Sequence, residues 1–191
     1  MKKTASLRSI SLSKQLAFTA VFAALCCVST LVITIRLPNG YFNTGDIFVL
    51  LSGWFLGPIY GTIAAGVGSM LADIISGYAL YSPATLLIKS ADALIACLLC
   101  TLLKKLIKKE RLDFLPRLFS AVCGEGIMIL GYFLYETLLY GWGGGAPALV
   151  GNALQGGCCV LCATILFSLL YPIKAVKQFF PVLQDNSKRK Q

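Results

Sequence analysis

Six ionisable residues, Asp46, Asp73, Lys89, Asp92, Glu125 and Glu136, stand inside or at the edge of apolar stretches of this chain. A charge in hydrocarbon costs at least about 2.5–3.5 kcal/mol, so such groups normally face a protein interior and mark a ligand or ion path. Their spacing groups them with other polar residues. Glu125, Ile129, Tyr132 and Glu136 recur at i, i+4, i+7 and i+11, which is one face of a helix. Asn152, Gln155, Cys159 and Cys162 recur at i, i+3, i+7 and i+10, again one face. Carboxylates, amides, one ammonium and aromatic rings suit a small, neutral or weakly charged aromatic heterocycle carrying hydroxyls. Repeated rings of charge, the usual dress of an ion channel, are missing.

Catalysis finds less support. The chain has no histidine, so Ser-His chemistry and imidazole ligands are absent. The Gly143-Gly144-Gly145 run lacks the GK[ST] of a phosphate-binding loop. Cys97-x-x-Cys100 and Cys159-x-x-Cys162 imitate a zinc pattern, yet both pairs fall in apolar helical runs without turn glycines. They read as small apolar packing residues. The expectation is a non-enzyme with no cofactor and no metal site.

The elements that position these groups are membrane helices. Of 191 residues, 57% are hydrophobic and 13% charged, and the mean hydropathy is +0.78. Soluble domains carry about 25% charged residues. Apolar runs predict six membrane segments: 16–35, 46–56, 59–78, 83–103, 118–140 and 148–171. The first is longer than a signal-peptide core, so it reads as a retained helix. The second is too short to cross about 30 Å as a straight helix. Gly57-Pro58 marks a turn after it, and Gly53-xxx-Gly57-xxx-Gly61 allows close helix approach there. The expected fold is all-α, a six-transmembrane-helix bundle over residues 1–175, followed by a basic, disordered cytoplasmic tail at 176–191.

The net charge of +9 falls in three blocks: Lys2 to Lys14, Lys104 to Arg117, and Lys174 to Lys190. Apolar runs separate them, which is the positive-inside pattern and not a nucleic-acid-binding one. Both termini and the 104–117 loop are therefore expected in the cytoplasm, in a cell-membrane protein with several passes. Loops 36–45, 79–82 and 141–147 then face outward. At 1.5 Å per residue, Asp73 and Lys89 lie at similar depth, roughly 8–10 Å below the outer surface, so they can pair. Two readings stand for Lys89, Asp92 and Asp73: ligand contacts or structural ion pairs. Glu125 lies nearer the inner end and fits an outward pocket least well. The 36–46 stretch has turn chemistry and the length of a lid.

The stretch from Gly40 to Leu99, opening GYFNTGDIFVLLSGWFLGPIYG, resembles the substrate-binding S components of energy-coupling factor (ECF) vitamin transporters. It is most similar to the pyridoxine and hydroxymethylpyrimidine branch. The resemblance implies capture of a small vitamin from outside, then association with a membrane coupling subunit and two cytoplasmic ATPases. It implies docking through small residues of the first helix, matched here by Ala20 and Ala24, and a gate at Tyr41–Asp46. The candidate ligand contacts are Asn43, Asp46, Asp73, Tyr81, Lys89, Tyr132, Glu136, Trp142, Asn152 and Gln155. Among these, Asp73 or Glu136 would bond a ligand hydroxyl or ring nitrogen, and Trp142 or Tyr81 would stack on its ring. The other class that fits the residues is a self-sufficient transporter or channel. That would need polar groups through the full depth, and the inner halves are nearly clean except for Glu125.

Overall fold

The computed structural model describes residues 11–37, 40–107 and 114–180. Among the described residues, five helices are long and apolar enough to cross a membrane: α1 (Leu12–Val32), α2 (Gly45–Ile75), α3 (Ser82–Leu106), α4 (Leu115–Tyr140) and α5 (Trp142–Leu170). A short α6 (Lys174–Phe179) follows. Between α1 and α2, β1 (Thr34–Leu37) and β2 (Gly40–Asn43) pair antiparallel, with Thr34 opposite Asn43 and Leu37 opposite Gly40. The chain is thus an all-α polytopic membrane bundle with one small hairpin at its rim.

The predicted second and third segments are two arms of α2. Gly57 breaks the helix with φ 85° and ψ −174°, a conformation open to glycine and strained for other residues. Pro58 then starts the second arm at a position where its missing N–H costs nothing. The arms fold back on each other. Ser52 Oγ donates to the Gly61 carbonyl at 2.9 Å, whereas nine residues of straight helix would hold the two about 13 Å apart. A Cβ on Gly61 would meet Ser52 O at 2.4 Å, so nothing larger than glycine allows this approach. With α2 counted as two passes, the bundle has the six membrane segments expected. The first arm, about 18 Å long, is buried along nearly all of its length, from Val49 to Phe55.

The bundle has two unlike ends. One holds the β-hairpin, the 76–81 turn and Gly141. The other holds the Gly57 turn and is filled by rings. Phe55 stacks on Phe167 at 4.7 Å, Phe180 lies 4.9 Å from Phe55 and 5.1 Å from Phe18, and the Arg117 guanidinium sits 4.4 Å over Phe167. Lys104 and Lys177 approach the Tyr171 ring at the same end. Ring packing therefore reaches Phe180, beyond the expected domain boundary at 175. Residues 181–191 of the expected tail lie outside the described residues. So do the N-terminal basic residues before 11, residues 108–113 of the basic loop, and Pro38 and Asn39 of the expected lid.

Replacement of Gly57 by alanine puts a Cβ on a positive-φ extended backbone open essentially only to glycine, and costs about 1–3 kcal/mol. The expected result is a lower midpoint of thermal unfolding in detergent. Gly126→Ala, where an added Cβ meets nothing within 4 Å, should leave the midpoint unchanged or raise it.

Candidate functional site

The site begins where β2 hands over to α2. Asn43 ends the strand, and its Oδ1 accepts the Gly45 backbone N–H at 2.9 Å, turning the chain into the helix. Thr30 Oγ1 donates to the same oxygen at 3.4 Å, and the Ser29 and Thr44 hydroxyls meet at 2.8 Å. These bonds fasten the strand-to-helix junction to the end of α1. Asp46 then falls in the first turn of α2, where the helix dipole favours an anion.

Asp46 is 1% exposed and forms an ion pair with Lys89 of α3, itself 4% exposed. Gln155 of α5 completes the arrangement from the other side. Its Nε2 donates to Asp46 Oδ2 at 2.6 Å. Its Oε1 accepts from the Asn43 backbone N–H at 2.9 Å and from Asn43 Nδ2 at 3.1 Å. Cys159, one turn further along α5, offers its thiol to the Asn43 carbonyl at 3.8 Å. One amide side chain thus ties α5 to the start of α2, and Asp46 is held from both sides, by Lys89 and by Gln155.

Above this network lies a cavity of about 610 Å³. Lys89 and Gln155 reach it, so the buried network forms its floor. Tyr132 lies beside Lys89, whose Nζ is 5.4 Å from the ring centroid, and the Tyr132 hydroxyl meets Thr85 Oγ1 at 2.9 Å. Asp73 of α2 and Glu136 of α4 bring carboxylates to the wall. A cluster of rings stands at the mouth: Tyr81 packs edge-on against Tyr78 and Tyr135, and the Tyr135 hydroxyl donates to the Leu80 carbonyl at 2.6 Å. Burial first, then Tyr140 and Glu136, push the Tyr81 phenol above its ordinary value, so at neutral pH it is an uncharged hydroxyl.

Of the sequence-expected contacts, the cavity gathers Asn43, Asp73, Tyr81, Lys89, Tyr132, Glu136, Asn152 and Gln155 in its lining. Asp46 is not in the lining; it stands behind Lys89 and Gln155. Trp142 is outside it too, 74% exposed and edge-on to Phe133 at 5.7 Å, although its neighbours Gly143 and Gly144 line the mouth. Depth alone pointed Lys89 toward Asp73, yet its ion pair is with Asp46. Asp92 and Glu125 lie behind the floor, both buried. Ala20 and Ala24 are exposed on the outer face of α1, turned away from the bundle. Sequence reasoning missed Thr85 and Ser69, each lining the cavity one turn before Lys89 and Asp73. The i, i+4 spacing to those charges was the available signal. Thr30 and Tyr140 carried none.

Comparison with known proteins adds the following. The family model for the ECF-type riboflavin transporter S component matches residues 11–172. A Pyrococcus woesei protein described as an uncharacterized protein in a gap 3′ region is 34% identical over 130 residues, 67% of this chain and 82% of that one. A Lactococcus lactis subsp. cremoris protein described as the thiamine precursor transporter HmpT is 26% identical over 166 residues, 84% of this chain and 87% of that one.

Gln155→Leu removes three hydrogen bonds and leaves the buried Asn43 N–H without its acceptor, a loss of about 1–3 kcal/mol for each group stranded. The thermal midpoint of the purified protein should fall by several degrees. Asn152→Ala, at the cavity wall, should lower it far less.

Proposed function

The chain belongs to the ECF-type riboflavin transporter S component family, and we propose that its ligand is a vitamin precursor of the hydroxymethylpyrimidine or pyridoxine type. As an S component it is the substrate-binding subunit of an ECF importer. The observation that carries the ligand reading is the pairing, in one cavity, of two wall carboxylates with a ring cluster and a lysine-backed tyrosine. An aminopyrimidine presents ring nitrogens and an exocyclic amine to a carboxylate, and flat faces to tyrosine rings. Asp73 or Glu136 would bond those nitrogens or the hydroxymethyl group, while Tyr81 stacks at the mouth. Asn43, Lys89, Tyr132, Asn152 and Gln155 would complete the contacts, with Asp46 holding Lys89 and Gln155 in place. Trp142 would close over the mouth from its exposed position. The relative described as a thiamine precursor transporter points the same way.

The positive blocks support a topology with both termini in the cytoplasm, in which the cavity would face outward across the cell membrane. The β-hairpin and the Asn43–Asp46 junction would gate it. A membrane coupling subunit would dock on the exposed Ala20 and Ala24 face of α1, and two cytoplasmic ATPases would drive release. The chain itself would catalyse nothing.

Riboflavin, named in the family description, is the second ligand class. Calorimetric titration of the purified chain in detergent separates the two. Hydroxymethylpyrimidine or pyridoxine should bind with a Kd between nanomolar and low micromolar, and Asp73→Asn or Glu136→Gln should weaken that at least about tenfold, or 1.4 kcal/mol. Saturable binding of riboflavin alone would overturn the ligand assignment, and no binding of either would overturn both ligand readings.

A further inference from the structure

Behind the cavity floor, three carboxylates converge. Asp46, Asp92 and Glu125 each place an oxygen within 4.8 Å of the other two, and all three side chains are buried. Asp92 is 0% and Glu125 2% exposed, and neither oxygen of either group has a hydrogen-bond partner among the described residues. Four buried carboxylate oxygens without a donor are expensive anywhere, and more so in the core of a membrane protein. The ligand network above does not account for them. Asp46 is satisfied by Lys89 and Gln155, whereas Asp92 and Glu125 are aimed into the same small space with nothing to receive them.

We propose that Asp46, Asp92 and Glu125 form a binding site for a hard divalent cation of the calcium or manganese kind. Three observations lead there. Charge balances: three carboxylates and one ammonium leave two negative charges, which one divalent ion cancels. Ligand type fits, since carboxylate oxygens select hard cations, and three such groups supply up to about six oxygens. Distance fits as well. Oxygens on opposite sides of an ion bound at about 2.3–2.6 Å stand up to about 5 Å apart, and the cluster closes within 4.8 Å. The helix packing is shaped around these groups. A Cβ on Gly124 would lie 2.4 Å from Asp92 Oδ1, and one on Gly156 would lie 3.1 Å from Glu125 Oε2. Because Asp46 also holds Lys89 and Gln155, the ion would brace the floor of the cavity from behind. By sequence the CxxC pairs read as packing residues and no metal site is expected; the groups that converge here are oxygens from α2, α3 and α4.

The test needs no vitamin. The full chain in detergent is treated with chelator and titrated with Mn²⁺, the free ion being followed by electron paramagnetic resonance and stability by thermal unfolding at fixed pH. The expected result is one Mn²⁺ taken up per chain, displaced by Ca²⁺, with a midpoint about 5–10 °C higher at a hundredfold excess over Kd. Glu125→Gln and Asp92→Asn should each abolish uptake. Without metal they should melt at or above the wild type, since each relieves repulsion, and that distinguishes a lost ligand from a damaged fold. The proposal is overturned if the wild type takes up no Mn²⁺, or if both variants still bind it. It is equally overturned if the midpoint responds to pH but not to metal, because protons would then be what neutralises the cluster.

Discussion

An ion pair buried in the core of a membrane bundle sets the terms for everything around it. Asp46 and Lys89 come from different helices and are nearly inaccessible. Neither charge could stay there alone, because losing one partner strands the other in a medium that cannot solvate it. Pairing is not sufficient by itself; the remaining lone pairs and protons need partners too. Gln155 provides one from α5, and the Tyr132 ring provides another from α4. Four helices are thereby referred to one point. The cavity above that point inherits its shape from them, and the handover from β2 to α2 is fixed by the same amide.

Such a point can exist only if helices come close enough to share it. The short first arm of α2 does this by threading the middle of the bundle. A Cβ on Gly53 would lie 2.5 Å from the Ala93 carbonyl, so the arm meets α3 backbone to backbone. In lipid, close packing of this kind replaces much of the hydrophobic drive that holds soluble domains together. The reversal at Gly57 then returns the chain beside itself, and rings seal that end of the bundle. The result is a binding subunit that is polar at one end and closed by aromatic side chains at the other. That asymmetry favours a capture role over a continuous channel.

Much of this was legible in the sequence, for physical reasons that can be named. Apolar runs and the Gly57-Pro58 break gave the six segments, since length and turn chemistry are local properties. The stripes Glu125–Tyr132–Glu136 and Asn152–Gln155–Cys159 turn inward as their helical period implies, whereas Cys162, the last member of the second stripe, is exposed on the outside of α5. What was not legible was which charge meets which. Equal depth pointed Lys89 toward Asp73, but depth is one coordinate of three. The short buried arm carries Asp46 into the bundle interior, and only the fold shows that this brings it against α3. Gln155 could be placed on a polar face without any sign that it clasps a residue 112 positions earlier. Trp142 has the right chemistry for ring stacking, yet a break at Gly141 leaves its side chain on the outside.

The central claim is that Asp46 and Lys89 act as one coupled unit at the base of the site. A double-mutant cycle on thermal unfolding tests it most directly, with Asp46→Leu, Lys89→Met and the two combined. Each single variant should lose about 3–5 kcal/mol, because it leaves a buried charge without its partner. The double variant, in which neither member of the pair is left to strand the other, should recover most of that loss. If its loss instead equals the sum of the two singles, the residues are independent and the account of the site is wrong.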